Sequence, residues 1–247
     1  MCNALSYLNS QFLDRYTHEG TIDLNSLQCY HRHKVQERKR GLTYAMSALT
    51  DLYKEISLCR KCEIARHRIK VVPGEGAENA DIMFIGEAPG FNEDQQGRPF
   101  VGAAGQFLEE LLASINLTRQ KVYIANVIKC RPPNNRDPLP IEISNCQPWL
   151  ERQIQIISPK IIVTLGRYSL AKYFPGKSIS KVHGTSQVVN GLTCFAMYHP
   201  AAALHQGNLR SDIIKDFQKL PELLSRVKQT QIKDIPSQPE PQQMSLF

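Results

Sequence analysis

Residues 81–105 read DIMFIGEAPGFNEDQQGRPFVGAAG, and the order of their parts decides the fold. DIMFIG (81–86) is a short apolar run, the pattern of a buried strand. A Gly-rich polar loop follows. AAGQFLEELLASI (103–115) then spaces its apolar residues as a helix does. Working outward, VYIANVI (122–128) reads as a second strand, 140–157 as a helix and KIIVTL (160–165) as a third strand. A short helix near 167–174, a strand at TCFAMY (193–198) and a last helix over 209–227 complete the rhythm. Alternating strands and helices predict an α/β fold with parallel strands and helices on both faces. Ligands of such sheets gather at the carboxyl ends of the strands. That rule selects four loops: Glu87–Gly105, Asn126–Asp137, Gly166 onward, and His199–Arg210.

Composition sets the outer bounds. The chain has 247 residues, 42% of them hydrophobic and 21% charged, which suits one sizeable core and argues against wholesale disorder. The net charge is 30 − 23 = +7, and it divides as +2, +6 and −1 over residues 1–45, 46–228 and 229–247. The basic excess therefore belongs to the middle segment and favours an anionic partner. These three zones are the expected organisation: a polar N-terminal extension with the basic tract HRHKVQERKR (31–40), one domain over 46–228, and a flexible Gln/Pro-rich tail. No apolar run approaches a membrane span and the first residues lack a signal-peptide pattern, so a cytoplasmic location is expected.

Seven cysteines without a secretory signal do not read as a disulfide scaffold. Cys59 and Cys62 form C-x-x-C, a spacing that lets two thiolates converge on one centre. Cys130 and Cys146, each beside an expected element end, could complete a four-thiolate set. Spacing leaves zinc and iron–sulfur both open. Cys2, Cys29 and Cys194 stand alone and read as bystander thiols.

The first loop carries Gly86, Glu87, Ala88, Pro89 and Gly90, then Glu93 and Asp94, then Phe100. It is neither a dinucleotide fingerprint nor a phosphate loop, because G-x-G-x-x-G and G-K-[ST] are both missing. Three carboxylates near one strand end suit polarising a water molecule. Phe100, between Pro and Val in a Gly-rich segment, suits stacking on a base. Asn126 ends the second strand, where a buried amide can read the polarity of a base edge. His199 follows the last strand and suits stabilising negative charge on a leaving group. Beyond it, Ala201, Leu204 and Arg210 suit a wedge into a base stack with a phosphate contact.

Together C-x-x-C, GEAPG…ED…GRPFVGAAG, NVIKCRPPNNRDP, Cys146 and YHPAA…LR resemble, in that order, the family 4 uracil-DNA glycosylases, the iron–sulfur branch of their superfamily. The resemblance spans about residues 46–225. It implies a three-layer α/β/α sandwich around a four-stranded parallel sheet. It also implies a structural [4Fe–4S] cluster on Cys59, Cys62, Cys130 and Cys146. The uracil pocket would be made by Gly86, Glu87, Ala88 and Pro89, with Phe100 stacked on the base, Asn126 reading its edge and His199 facing its O2. Glu87, with Glu93 as second candidate, would position the attacking water. The implied activity is release of uracil from DNA. A related branch that traps uracil covalently has a His-bearing basic insertion, and RPPNNRDPLPIEISN (131–145) has no His, so turnover is expected. The alternative is a non-catalytic, metal-stabilised DNA-binding or clamp-associated module.

The chain ends Gln243-Met244-Ser245-Leu246-Phe247, which resembles the peptide that docks on the bacterial sliding clamp. Gln243, Met244, Leu246 and Phe247 would make that contact, as short apolar anchors on a flexible tail. The expected state is a monomer that binds uracil-containing DNA.

Overall fold

The computed structural model describes residues 48–233. A helix over residues 48–58 (α1) leads through the single turn Glu63–Arg66 to a two-residue strand, β1 (Glu75–Gly76), and then to β2 (Ile82–Gly86). Two helices, α2 (Phe91–Gln96) and α3 (Ala103–Ser114), follow before β3 (Tyr123–Asn126). Next come α4 (Pro140–Ile157), β4 (Ile161–Leu165), α5 (Arg167–Tyr173) and α6 (Ile179–Val182). A hairpin of β5 (Ser186–Val189) and β6 (Leu192–Met197) precedes α7 (Pro200–His205), α8 (Asn208–Phe217) and α9 (Leu220–Lys233).

The sheet order is β1-β3-β2-β4-β6-β5. The inner four strands, β3, β2, β4 and β6, are the four that the apolar runs announced, and they pair in parallel. Among the described residues the expected count of four is corrected to six, because β1 and β5 extend the edges in antiparallel. β1 is too short to show a period. β5 is half exposed and joins β6 through Asn190-Gly191, both at positive φ (51° and 78°), the two-residue turn that matches strand twist.

Period-two alternation sends side chains to both faces of the sheet. Met83, Ile85, Tyr123, Ala125, Ile162 and Ala196 meet α1, α4 and α5 through Leu52, Ile56, Trp149, Leu150 and Leu170. Phe84, Ile124, Val163, Phe195 and Met197 meet α3, α8 and α9 through Leu108, Leu111, Ile213, Phe217 and Leu223. Two cores on one sheet make the three-layer sandwich. The single helix expected over 209–227 is two helices. Pro221 lies in the first turn of α9, where its missing N–H costs no helical bond. In a continuous helix its ring would meet the carbonyl of Phe217. α9 also runs to Lys233, into the segment that composition assigned to the tail. No helix among the described residues is long and apolar enough to cross a membrane.

Candidate active site

Register brings the strand ends together. Gly86 stands opposite Asn126 across β2 and β3, and Leu165 stands opposite Met197 across β4 and β6. The ladder continues past β3, since the N–H groups of Val127 and Ile128 donate to the carbonyls of Gly86 and Glu87. Gly166 N–H donates to Met197 O at 2.9 Å, which sets the turn after β4 against Tyr198 and His199. A cavity of about 770 Å³ opens over these ends, lined among others by Glu87, Pro89, Phe100, Asn126, Tyr198 and His199.

Asn126 is only 2% exposed, yet its Oδ1 has no hydrogen-bond partner among the described residues. A buried amide oxygen without a donor is costly unless a ligand supplies one. Phe100 lies beside it: a Cβ on Gly86 would fall 2.7 Å from the Phe100 ring and collide with Asn126 Oδ1, so only glycine lets the two approach. Phe100 itself has φ of 52°. The buried Arg119 holds that loop by donating to the carbonyls of Phe100, at 2.9 Å, and Pro99.

The Phe100 and His199 rings stack at 5.4 Å. His199 is the N-cap of α7, and its Nδ1 accepts from Ala201 N–H at 3.1 Å. That bond fixes the neutral tautomer with the proton on Nε2. Burial pushes the imidazole down to about 4, against a smaller upward pull from Glu93. The ring is therefore a neutral donor at physiological pH.

Of the three loop carboxylates, Glu87 is the one whose oxygens are not taken up by hydrogen bonds among the described residues. Glu93 accepts from the N–H groups of Gly90, Val101 and Gly102 at 3.1, 2.8 and 2.9 Å. Asp94 is buried and accepts from Ile69 N–H at 3.0 Å. Glu87 is half-buried; desolvation raises its carboxyl, Asp137 raises it further, and Arg167 opposes both. Ala88 and Pro89 line the same cavity, as do Ala201 and Ala202. Leu204 is exposed on α7. Arg210 is partnered, with Glu110 at 2.7 Å and the Phe107 ring beneath its guanidinium.

Cys59, Cys62, Cys130 and Cys146 line one small pocket on the α1–α4 side, with Arg68, Lys129 and Trp149. Among the described residues no three His, Cys, Asp or Glu side chains close to the spacing of a single metal ion. Two N–H groups point at the sulfurs: Arg68 Nη1 to Cys130 at 3.1 Å and Lys129 N to Cys146 at 3.3 Å. Cys194 is wholly buried inside β6, a core thiol that burial pushes up to about 12. Cys2, Cys29, the tract 31–40 and the terminal Gln243, Met244, Leu246 and Phe247 lie outside the described residues.

Residues 73–220 match the family described as the uracil DNA glycosylase superfamily, more than half of the chain. The chain belongs to that superfamily. It is 51% identical over 189 residues to the Type-4 uracil-DNA glycosylase of Sulfurisphaera tokodaii, covering 72% of this chain and 86% of that one. It is 46% identical over 194 residues to the Type-4 uracil-DNA glycosylase of Archaeoglobus fulgidus (75% and 98% covered), and 40% identical over 189 residues to that of Thermotoga maritima (74% and 98%).

In this member of the superfamily, several residues at the site had no readable signal in the sequence. Asp137 and Arg167 form an ion pair at 2.5 Å between two of the four loops and set the field at Glu87. Arg119 lies far along the chain from the loop it holds, and nothing in its surroundings (TRQK) marks it. Lys129 carries no mark in the sequence and is fully buried.

Proposed function

We propose that this chain hydrolyses the N-glycosidic bond of deoxyuridine in DNA, releasing uracil and leaving an abasic site. The observation that carries the reading is the buried Oδ1 of Asn126, partnerless among the described residues, beside a neutral, Nε2-protonated His199 and the face of Phe100. An acceptor for N3–H, a donor for O2 and an aromatic face together complement uracil. Cytosine offers no N3–H and would leave Oδ1 unpaired, a mismatch that polar sites reject strongly.

The target nucleotide leaves the helix to reach the pocket. Cleavage places negative charge on the departing base and positive charge on the sugar. His199 Nε2–H meets the charge at O2, in a site that needs no reorganisation to do so. Glu87 orients the water that attacks C1′. Glu93 acts as a positioning residue, since its oxygens are spent on the loop that presents Phe100. Leu204 and Ala201 suit the space left by the flipped base, and Arg210 suits a nearby phosphate.

Cys59, Cys62, Cys130 and Cys146 would hold the [4Fe–4S] cluster. Four thiols around one pocket, with N–H donors aimed at two sulfurs, fit a thiolate-bound cluster. When bound it ties residues 59–62, the chain after β3 and α4 together. Zinc in the same thiols would give a colourless protein. The protein would act as a monomer on DNA in the cytoplasm, and Gln243, Met244, Leu246 and Phe247 would tether it to a sliding clamp.

The test is incubation with DNA carrying one uracil opposite guanine, opposite adenine, or in a single strand. Free uracil and an alkali-labile site are expected. Intact DNA, in an assay where a known uracil-DNA glycosylase is active, would sink the proposal.

A further inference from the structure

Lys129 lies between the cysteine pocket and the base pocket. Its side chain is 1% exposed, one of the largest fully buried ones among the described residues. Its Nζ donates to the main-chain carbonyl of Asn126 at 2.8 Å. Its own main-chain N–H donates to Cys146 Sγ at 3.3 Å, and Cys130 is its neighbour in sequence.

The side chain is poorly provided for by the rest of the fold. An ammonium has three donors, and one neutral carbonyl meets one of them. Among the described residues, the pocket that Lys129 lines holds the four thiols of Cys59, Cys62, Cys130 and Cys146 and no carboxylate. Compare Arg119, another buried cation, which has Glu75 and Glu109 as well as two carbonyls. Breaking a buried ion pair is costly because it strands a charge, and Lys129 is stranded unless the cysteines carry negative charge. A four-thiolate metal centre supplies that charge.

We infer that Lys129 is a positioning residue that joins the cysteine-held centre to the base-reading strand end: its ammonium is the counter-cation of the centre, and the centre's charge keeps the ammonium where it fixes the main chain of Asn126. The inference rests on the proposed uracil pocket. It gives the cysteine site a part in base recognition without contact with the substrate. Loss of the centre frees the ammonium to seek water, and the Asn126 carbonyl loses its donor. The Oδ1 that reads the base is then held by β3 alone.

The test uses the full chain purified with its metal centre, as wild type, Lys129→Met and Lys129→Arg. Two quantities are read: the midpoint potential of the centre, followed by its visible absorption, and inhibition by free uracil, which probes the pocket without chemistry. Lys129→Met is expected to lower the midpoint potential, because a nearby positive charge favours the reduced centre. It should also weaken uracil inhibition roughly tenfold, as for loss of a hydrogen bond from a charged donor. Lys129→Arg keeps the charge and is expected to keep the potential near wild type. Its planar fork fits the ammonium's place poorly, so uracil inhibition should still weaken. A Lys129→Met protein with wild-type potential and wild-type uracil inhibition overturns the inference. If Lys129→Met does not fold, unchanged uracil inhibition in Lys129→Arg overturns it equally. A wild-type chain that neither releases uracil nor is inhibited by it refutes the pocket reading instead, and the potentials still judge the charge pairing.

Discussion

At Glu87 three influences compete, and their signs predict a pH profile. Desolvation and Asp137 raise its carboxyl above the ordinary 4.5, while Arg167 lowers it. A water-orienting carboxylate must be ionised, so the acid limb of kcat should lie above the pH at which an exposed Glu titrates. Asp137→Asn removes a raising charge and should move that limb to lower pH; Arg167→Met should move it higher. A limb that ignores both changes would show that Glu87 does not govern it. Glu87→Gln should lower kcat by roughly 10²- to 10⁴-fold, the usual weight of such a group. His199 adds a separate dependence, on stability. Its folded pKa is about 4 against 6.5 for the free side chain. Between those values the unfolded chain takes up a proton that the folded chain refuses. The stability is therefore full above about 6.5 and falls as pH drops toward 4. His199→Gln should flatten melting temperature against pH in that window, and an unchanged slope would contradict the burial of this ring.

The loop between β2 and α3 is where one element depends most on another. Phe100 holds a left-handed φ of 52°, unfavourable for a residue with a bulky side chain. Arg119 and Glu93 grip both flanks of it through main-chain atoms. Gly105, in the first turn of α3, passes so close that a Cβ would collide with the Phe100 carbonyl. Gly105→Ala should therefore cost about 1–3 kcal/mol or more, as overpacked sites do, and should raise KM through a displaced Phe100. Chemical denaturation and steady-state kinetics on uracil DNA check the two effects, and a variant with wild-type stability would contradict the close approach. The same loop shows what the sequence could disclose. The apolar runs announced β2, β3, β4 and β6, because buried parallel strands are apolar on both faces. The strand-end rule then selected the loops that carry Glu87, Phe100, Asn126 and His199. The β5–β6 hairpin was harder to see, because half-exposed SQVV has little apolar pattern and only the Asn190-Gly191 pair marks its turn. What separates Glu87 from Glu93 and Asp94 is which oxygens meet backbone N–H groups. That depends on the fold of the loop, and Gly-rich sequence does not fix it.

For the whole molecule the deciding quantity is where the charge lies. Residues 59–70 contain Arg60, Lys61, Arg66, Arg68 and Lys70 against Glu63, a balance of +4 out of the +7 of the chain. Arg60, Arg66, Arg68 and Lys70 line an open groove of about 690 Å³ that reaches Gly97. α2 connects that groove to the base pocket, since Gly90 lines one and Gly97 the other. The seven steps from Gly90 to Gly97, at about 1.5 Å each, span roughly 10 Å, or about three nucleotides at roughly 3.4 Å per step along a strand. Phosphates about three nucleotides from the flipped one would thus reach the groove on one side. Among the described residues Arg66 has only an exposed, loose pair with Glu63 at 3.4 Å, so its charge is available. The triple change Arg60→Ala, Arg66→Ala and Lys70→Ala spares Arg68, which touches Cys130. For every phosphate that is no longer neutralised, the slope of log affinity against log salt should fall by about 0.9 on duplex DNA, hence by up to about 2.7 in all. Uracil release from a long duplex at moderate salt should fall on the order of tenfold, through KM rather than kcat. Release from a trinucleotide with uracil at its centre should be unchanged, because so short a strand does not reach the groove. Equal salt slopes for the triple variant and the wild type would place the phosphate-binding cations elsewhere on the protein.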